Sequence, residues 1–264
     1  MIAIVLIGAG GRMGRAVDEA ARLNDAFSIR ARVDRAAPPA ATIPPDANSS
    51  AASGVWSEDA ASVVRAGDVV IEFSSPEGCR TAARLCAERG AALVSGTTGL
   101  GPEDERAVRE AAARVAVLRA ANFSLGVAAL HRALEAAIAA LPPTWDIEIV
   151  ERHHRRKVDS PSGTALGLAR HAGEKRGLGE SALKLGRSGR TGERPRDEIG
   201  VHSVRGGSLV GDHAVLIAGD GEWIEIRHVA EDRSAFAHGA LAAARFVAAA
   251  KPGLYTMDHV LGSK

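Results

Sequence analysis

The sequence predicts an α/β fold: a doubly wound parallel sheet, followed by a second α+β domain whose sheet is mixed or antiparallel. Three observations carry this. Short apolar runs alternate with helical stretches over the first 124 residues, as parallel strands and crossover helices do. A glycine string separates the first strand from the first helix. Beyond Ser124 the strands alternate polar and apolar residues, as strands with one wet face do.

Ile2–Ile7 is a strand-type run ended by glycines, and a helix is expected over Arg12–Leu23. A second strand is expected over Ser28–Val33, ending in Asp34-Arg35, and the Ala/Pro/Ser-rich stretch Ala36–Gly54 reads as loop. Val69–Phe73 is a buried strand, and Pro76-Glu77 opens a helix to Arg89. Ala91–Val94 enters the turn Ser95–Gly99, Pro102–Arg114 is helical, and Val115–Leu118 runs into Ala120–Ser124. A helix over Val127–Leu141 is stopped by Pro142-Pro143, and Asp146–Glu151 alternates as a strand. Strands at Ala214–Ala218 and Trp223–Val229 flank Gly219–Glu222, a hairpin signal. The Ala-rich helix Ser234–Ala250 is placed back on the first domain. The expected domains are therefore residues 1–124 with 234–264, and 125–233. Lys184–Arg196 has five basic residues against Glu193 alone and is expected to be a mobile basic loop.

Thirty-three basic against 32 acidic residues give a net charge of +1, which argues against a general nucleic-acid or anionic-membrane binder. Aromatics are 3%, so the core must come from Ala, Val, Leu and Ile. Cys79 and Cys86, seven apart on a helix, read as buried reduced thiols, and no metal-ligand spacing is present. The N-terminus lacks the marks of an export signal and no run of 18 apolar residues occurs, so a soluble cytoplasmic chain is expected.

Gly8-Ala9-Gly10-Gly11-Arg12-Met13-Gly14 lies between strand and helix, with Asp34 20 residues beyond Gly14 at the end of the second strand. Glycines let backbone approach a pyrophosphate, and the bare helix start favours the anion, so this is a Rossmann-type dinucleotide site. Asp34 can accept from the ribose hydroxyls, which suits NADH. Arg35 can neutralise a 2′-phosphate, which suits NADPH. Gly96-Thr97-Thr98-Gly99 and Ala120-Ala121-Asn122-Phe123 follow later strands, and their backbone groups could hold the nicotinamide carboxamide.

Residues 151–166, E-R-H-H-R-R-K-V-D-S-P-S-G-T-A-L, set cations before a helix start. Ser160 is the expected N-cap, with Pro161 at the first helical position. His153, His154 and Lys157 beside such amides suit a small anion with more than one carboxylate.

This stretch resembles the signature of the 4-hydroxy-tetrahydrodipicolinate reductases, also called dihydrodipicolinate reductases, of bacterial lysine and diaminopimelate synthesis. Gly8–Gly14, Phe73–Glu77 (F-S-S-P-E), Gly96–Gly99 (G-T-T-G), Ala121–Gly126 (A-N-F-S-L-G), Val204–His213 (V-R-G-G-S-L-V-G-D-H) and Gly253–Met257 resemble the family in the same order. The resemblance implies NAD(P)H-dependent reduction of a cyclic imine dicarboxylate. It implies His153 as proton donor/acceptor, Lys157 as a further proton donor, and His154, Gly163 and Thr164 as substrate-carboxylate ligands. Gly8, Ala9, Gly10, Gly11, Arg12, Met13, Asp34, Arg35, Gly96, Thr97, Thr98, Ala120, Ala121, Asn122 and Phe123 would line the cofactor. A homotetramer built through the second domain's sheet is implied as well. The family pattern is not visible in Ala36–Gly54.

A dehydrogenase of the aspartate or homoserine type would share the glycine loop and Asp34 but would not need His153-His154 with Lys157 and Ser162-Gly163-Thr164. A non-enzymatic nicotinamide-binding sensor would not need intact proton donors. A metal hydrolase fits poorly, because the adjacent His153 and His154 on a strand point to opposite faces.

Overall fold

Apolar runs without alternation become the middle of a sheet that is covered on both faces. β1 (Ile2–Ile7), β2 (Phe27–Val33), β3 (Val55–Ser57), β4 (Val69–Glu72), β5 (Ala92–Ser95) and β6 (Ala116–Arg119), with β12 (Gly253–Tyr255), form one seven-stranded sheet. Its order is β12-β6-β5-β4-β1-β2-β3 and all of its pairings are parallel. The chain order reverses between β1 and β4, the switch point at which ligands bind in open α/β sheets. The structure is a computed structural model and describes residues 1–35 and 54–262; the loop expected at Ala36–Gly54 lies, but for Gly54, outside the described residues.

The helices of this unit are α1 (Arg12–Arg22), α2 (Ala60–Val63), α3 (Pro76–Arg89), α4 (Pro102–Ala112), α7 (Ser234–Val247) and α8 (Met257–Val260). Local chemistry sets their ends. In α3, Ser75 accepts from the Gly78 amide at 3.2 Å, Pro76 takes the first position, and Gly90 closes the helix at φ +72°. Val5, Val70, Leu93 and Val117 from the strands join Ala82, Ala83, Cys86 and Val108 from α3 and α4 in one core. Cys79 and Cys86 are free buried thiols, as the sequence suggests. α7 packs on α1, β4 and β5, which returns the chain's last helix to the first sheet.

The second unit spans Gly126–Asp232; the first comprises Met1–Leu125 and Arg233–Lys264. Its sheet has the order β11-β10-β7-β9-β8, from β7 (Asp146–His153), β8 (Leu183–Leu185), β9 (Ile199–Arg205), β10 (Gly211–Gly219) and β11 (Glu222–Ala230). β7 and β9 are parallel, while β10 is antiparallel to β7 and β11, so the sheet is mixed. α5 (Leu125–Ala140) and α6 (Gly163–Arg176) cover one face, where Leu134, Leu168 and Ala169 meet Ile147, Ile149, Val201 and Val215. Each large side chain fully buried there is worth about 1.5–3 kcal/mol.

Two local expectations are corrected. Pro161 does not open α6: the helix begins at Gly163, and Ser162 is its N-cap, accepting from the Ala165 amide at 3.2 Å. In Lys184–Arg196, expected as a mobile basic loop, Lys184 lies in β8 and Arg190 and Arg196 are exposed, but Arg187 and Arg194 are held by carboxylates. Arg187 grips Glu148 with two bonds of 2.8 and 2.9 Å, and Arg194 reaches Glu148 at 2.7 Å and Asp146 at 2.6 Å. The partners of these arginines are 39 to 48 residues distant in sequence, on the outward face of β7, so local charge counting could not find them.

Candidate active site

In the first unit the strand ends present the predicted loops along one edge. Gly8 turns the chain out of β1 at φ +79°, and a β-carbon there would lie 2.2 Å from the Phe73 carbonyl oxygen. A β-carbon on Gly14 would lie 2.2 Å from the Gly8 carbonyl oxygen, so glycine is needed for α1 to close on the loop. Gly11 caps α1 without a side-chain bond, and the first turn holds no acidic residue. Its amides are thus suited to a phosphate, and the residues present fit a dinucleotide. Arg12 and Arg35 are exposed, Met13 and Asp34 half-buried, and Ala9 buried.

The later loops are tied to this edge by a buried carboxylate that sequence reading did not single out. Glu72, at the end of β4, has no solvent exposure. It accepts from the Thr97 hydroxyl at 2.6 Å, the Ser95 hydroxyl at 2.7 Å and the Ser74 amide at 2.7 Å. Thr97 is therefore fixed, while Thr98 beside it is exposed. The rings of Phe73 and Phe123 meet edge to face at 5.4 Å, and the Ala120 amide donates to the Ser95 carbonyl at 3.2 Å. Asn122 Oδ1 accepts from the Ser124 amide at 2.8 Å, and Ala121 is exposed.

In the second unit the basic stretch meets the start of α6. β7 buries every second residue, so Ile147, Ile149, Glu151 and His153 share the covered face. His153 is nearly buried, its Nδ1 2.5 Å from Glu151 Oε2. Glu151 also accepts two bonds from Arg205, at 2.7 and 2.8 Å, and one from the Ser162 amide at 3.1 Å. Burial alone would raise this carboxyl, but the bonds from His153 and Arg205 outweigh it and hold the group far below the usual carboxylate range.

His213 faces His153, ring centroids 5.1 Å apart, and its Nε2 lies 3.2 Å from Ser162 Oγ. Burial first, then the neighbouring His153, lowers His213 to about 4, so it is neutral near pH 7. Lys157 follows in a turn closed by its amide on the His154 carbonyl, with Nζ 2.8 Å from Asp159 Oδ1. The charged neighbour holding Lys157 is thus an anion. The lysine lowers the Asp159 carboxyl. His154 is half-buried, and its Nδ1 is buried with no hydrogen-bond partner among the described residues. Gly163 and Thr164 form the first turn of α6.

Glu151, Ser162, Arg205 and His213 had no assigned role at the sequence level, although Arg205 and His213 lie within the V-R-G-G-S-L-V-G-D-H motif. A signal was there. Continuing the Ile147/Ile149 alternation by two steps puts a carboxylate and a histidine on the buried face, where isolated charge is costly.

A parallel sheet with a glycine loop and bare helix tip at its switch point defines the nicotinamide-dinucleotide-binding class, here joined to a second unit in which His153 and Arg205 meet on Glu151. The family profile "Dihydrodipicolinate reductase, N-terminus" matches residues 2–123, and "Dihydrodipicolinate reductase, C-terminus" matches residues 126–261. The chain is 44% identical over 266 residues to the 4-hydroxy-tetrahydrodipicolinate reductase of Halorhodospira halophila, covering 99% of each protein. It is 41% identical to that of Nitrosomonas eutropha, covering 99% of this chain and 98% of the other. Among solved structures, the dipicolinate-bound dihydrodipicolinate reductase of Paenisporosarcina sp. TG-14 matches with a TM-score of 0.78 at 26% identity, over 98% of this chain and 99% of that one. The chain belongs to the dihydrodipicolinate reductase family, whose members are NAD(P)H-dependent oxidoreductases.

Proposed function

We propose that this chain is a 4-hydroxy-tetrahydrodipicolinate reductase, forming tetrahydrodipicolinate from a cyclic imine dicarboxylate in lysine and diaminopimelate synthesis. The observation that carries the reading is the placement of His153, Ser162 and Arg205 on one buried carboxylate, Glu151, at the start of a helix. Relatives of 41–44% identity over full length favour it over an aspartate- or homoserine-type dehydrogenase and over a sensor.

Gly8 to Met13, Asp34 and Arg35 would hold the dinucleotide, with Gly96–Thr98 and Ala120–Phe123 at its nicotinamide end. When bound, the reduced nicotinamide supplies a hydride for C4 of the ring. The amides of Gly163 and Thr164, with His154, would bind a ring carboxylate, the helix start favouring negative charge. Loss of water from the 4-hydroxy compound gives the conjugated cyclic imine, and hydride arrival at C4 leaves an enamine that must gain a proton. His153 or Lys157 would supply it, each carrying an exchangeable proton and each lying in the segment that leads from β7 into α6. Orientation of the ring by these contacts is worth several kcal/mol, on the order of the gains seen for aligned reactants.

We place the enzyme in the cytoplasm; among the described residues no helix is long and apolar enough to cross a membrane. The domains expected from the sequence, residues 1–124 with 234–264 for the dinucleotide and 125–233 for substrate and assembly, differ by one residue at each boundary from the two units. A homotetramer through the second sheet agrees with that sheet's exposed Trp223 and Val229. Neither nucleic acid nor membrane is a partner. His153→Ala and Lys157→Ala test the site: each should cut kcat about 100-fold or more, with NADH affinity little changed. An equal loss of NADH affinity would contradict the assignment.

A further inference from the structure

Glu151 is a fully buried acid one alternate step from His153 on β7, and every oxygen of it is committed. Oε1 accepts from Arg205 Nη2 and the Ser162 amide, while Oε2 accepts from Arg205 Nη1 and faces His153 Nδ1. The two-pronged arginine prevents the carboxylate from turning. An ionised carboxylate can only accept, so the hydrogen in the short contact sits on His153 Nδ1. In the neutral ring Nε2 is then the bare nitrogen. On that side stands Gly211, where even a β-carbon would lie 3.4 Å from Nε2. The neighbouring His213 ring stands steeply inclined to it, at 75°.

We propose that Glu151 is a positioning residue of the reaction, holding His153 with Nδ1–H turned inward and Nε2 as the proton-exchanging atom. Through the Ser162 amide the same carboxylate ties that nitrogen to the start of α6, so the proton donor and the carboxylate-binding turn share one anchor. Arg205 is the second positioning residue. It keeps Glu151 ionised and also donates to the Asp159 carbonyl at 2.8 Å, bracing the turn that carries Lys157. This inference rests on the reductase reading. In the proton step the C=C π pair of the deprotonated enamine left by hydride addition forms the new carbon–hydrogen bond, and the lone pair on its anionic ring nitrogen re-forms the C=N bond. The Nε2–H bond breaks with its electron pair left on Nε2, and a solvent proton restores the imidazolium.

The full-length wild-type protein carrying 15N-histidine tests the geometry directly. His153 is identified by the signals lost in His153→Asn, and spectra are taken at mildly alkaline pH with and without pyridine-2,6-dicarboxylate. A protonated Nδ1 with a bare Nε2 is expected; a protonated Nε2 overturns the proposal. Glu151→Gln, with its far-ultraviolet circular dichroism unchanged, should lose about 100-fold or more in kcat, as when the orienting acid of a catalytic histidine is neutralised. KM for NADH should move by less than about threefold, and Glu151→Asp should recover part of the rate. A folded Gln variant with wild-type kcat overturns the proposal, and if that variant does not fold the wild-type resonances decide. Failure of the reductase reading itself has a separate signature: wild-type protein with the expected tautomer that oxidises no nucleotide when given the imine.

Discussion

The amide of Gly10 donates to Asp34 Oδ2 at 2.8 Å, binding the glycine loop after β1 to the end of β2. The other carboxylate oxygen accepts from the Arg35 amide at 2.7 Å. Asp34 is thereby aimed before any ribose arrives, and the Arg35 side chain is left on the exposed side of the same turn. Asp34→Ala should weaken NADH by about 1.5–3 kcal/mol, the worth of hydrogen bonds to a charged group. Arg35→Ala should weaken NADPH more than NADH. Fluorescence titration of both nucleotides checks this, and equal losses in the Arg35 variant would exclude a 2′-phosphate role.

Gly14→Ala tests the closure of α1 on the glycine loop. The added carbon would fall 2.2 Å from the Gly8 carbonyl oxygen and 2.6 Å from Ala9 Cα, both backbone atoms. The expected cost is about 1–3 kcal/mol of stability, typical of overpacking, with weaker NADH binding. Thermal denaturation and a nucleotide titration read the two effects.

The Glu148 network predicts an acid-sensitive step. Burial raises this carboxyl, but bonds from Arg187, Arg194 and His202 prevail and lower it from 4.5 to about 2. A depressed carboxyl stabilises the folded protein above its unfolded value, and that stabilisation fades as pH falls from about 4.5 toward about 2. Urea unfolding between pH 5 and pH 3 should show a falling midpoint in wild type and a flatter slope in Glu148→Gln. An unchanged slope would mean the network contributes nothing to stability.

Neither thiol should react in the folded protein. Burial, the largest cause, raises Cys79 to about 11 and raises Cys86 as well. At pH 8 the Cys79 thiolate is then about one part in a thousand. An aromatic disulfide reagent should label no cysteine in the native protein and both in denaturant.

The first sheet was legible because its strands are continuous apolar runs and its turns carry glycine or proline. Ile2–Ile7 and Pro76–Arg89 coincide with the observed elements residue for residue. The three-residue strands β3, β8 and β12 were not, since so few positions show no period. β9 was missed because Gly200 interrupts it; that bare position lies under the Glu148 carboxylate. The expected cap at Ser160 followed from proline's usual place in helices, but Ser162 offers its hydroxyl two residues later. Of the proposed site, His153, Lys157 and Thr164 are named from spacing and resemblance alone. Arg205, 54 residues from Glu151, could not be paired with it, because that contact exists only once β7 and β9 lie side by side.

One measurement bears most directly on the central claim: oxidation of NADH and NADPH followed by absorbance with the freshly made product of dihydrodipicolinate synthase. Oxidation is expected to depend on that product, to yield tetrahydrodipicolinate, and to be nearly abolished in His153→Ala and Lys157→Ala with nucleotide binding intact. No oxidation of either nucleotide by the folded wild-type protein, or full activity in both variants, would contradict it.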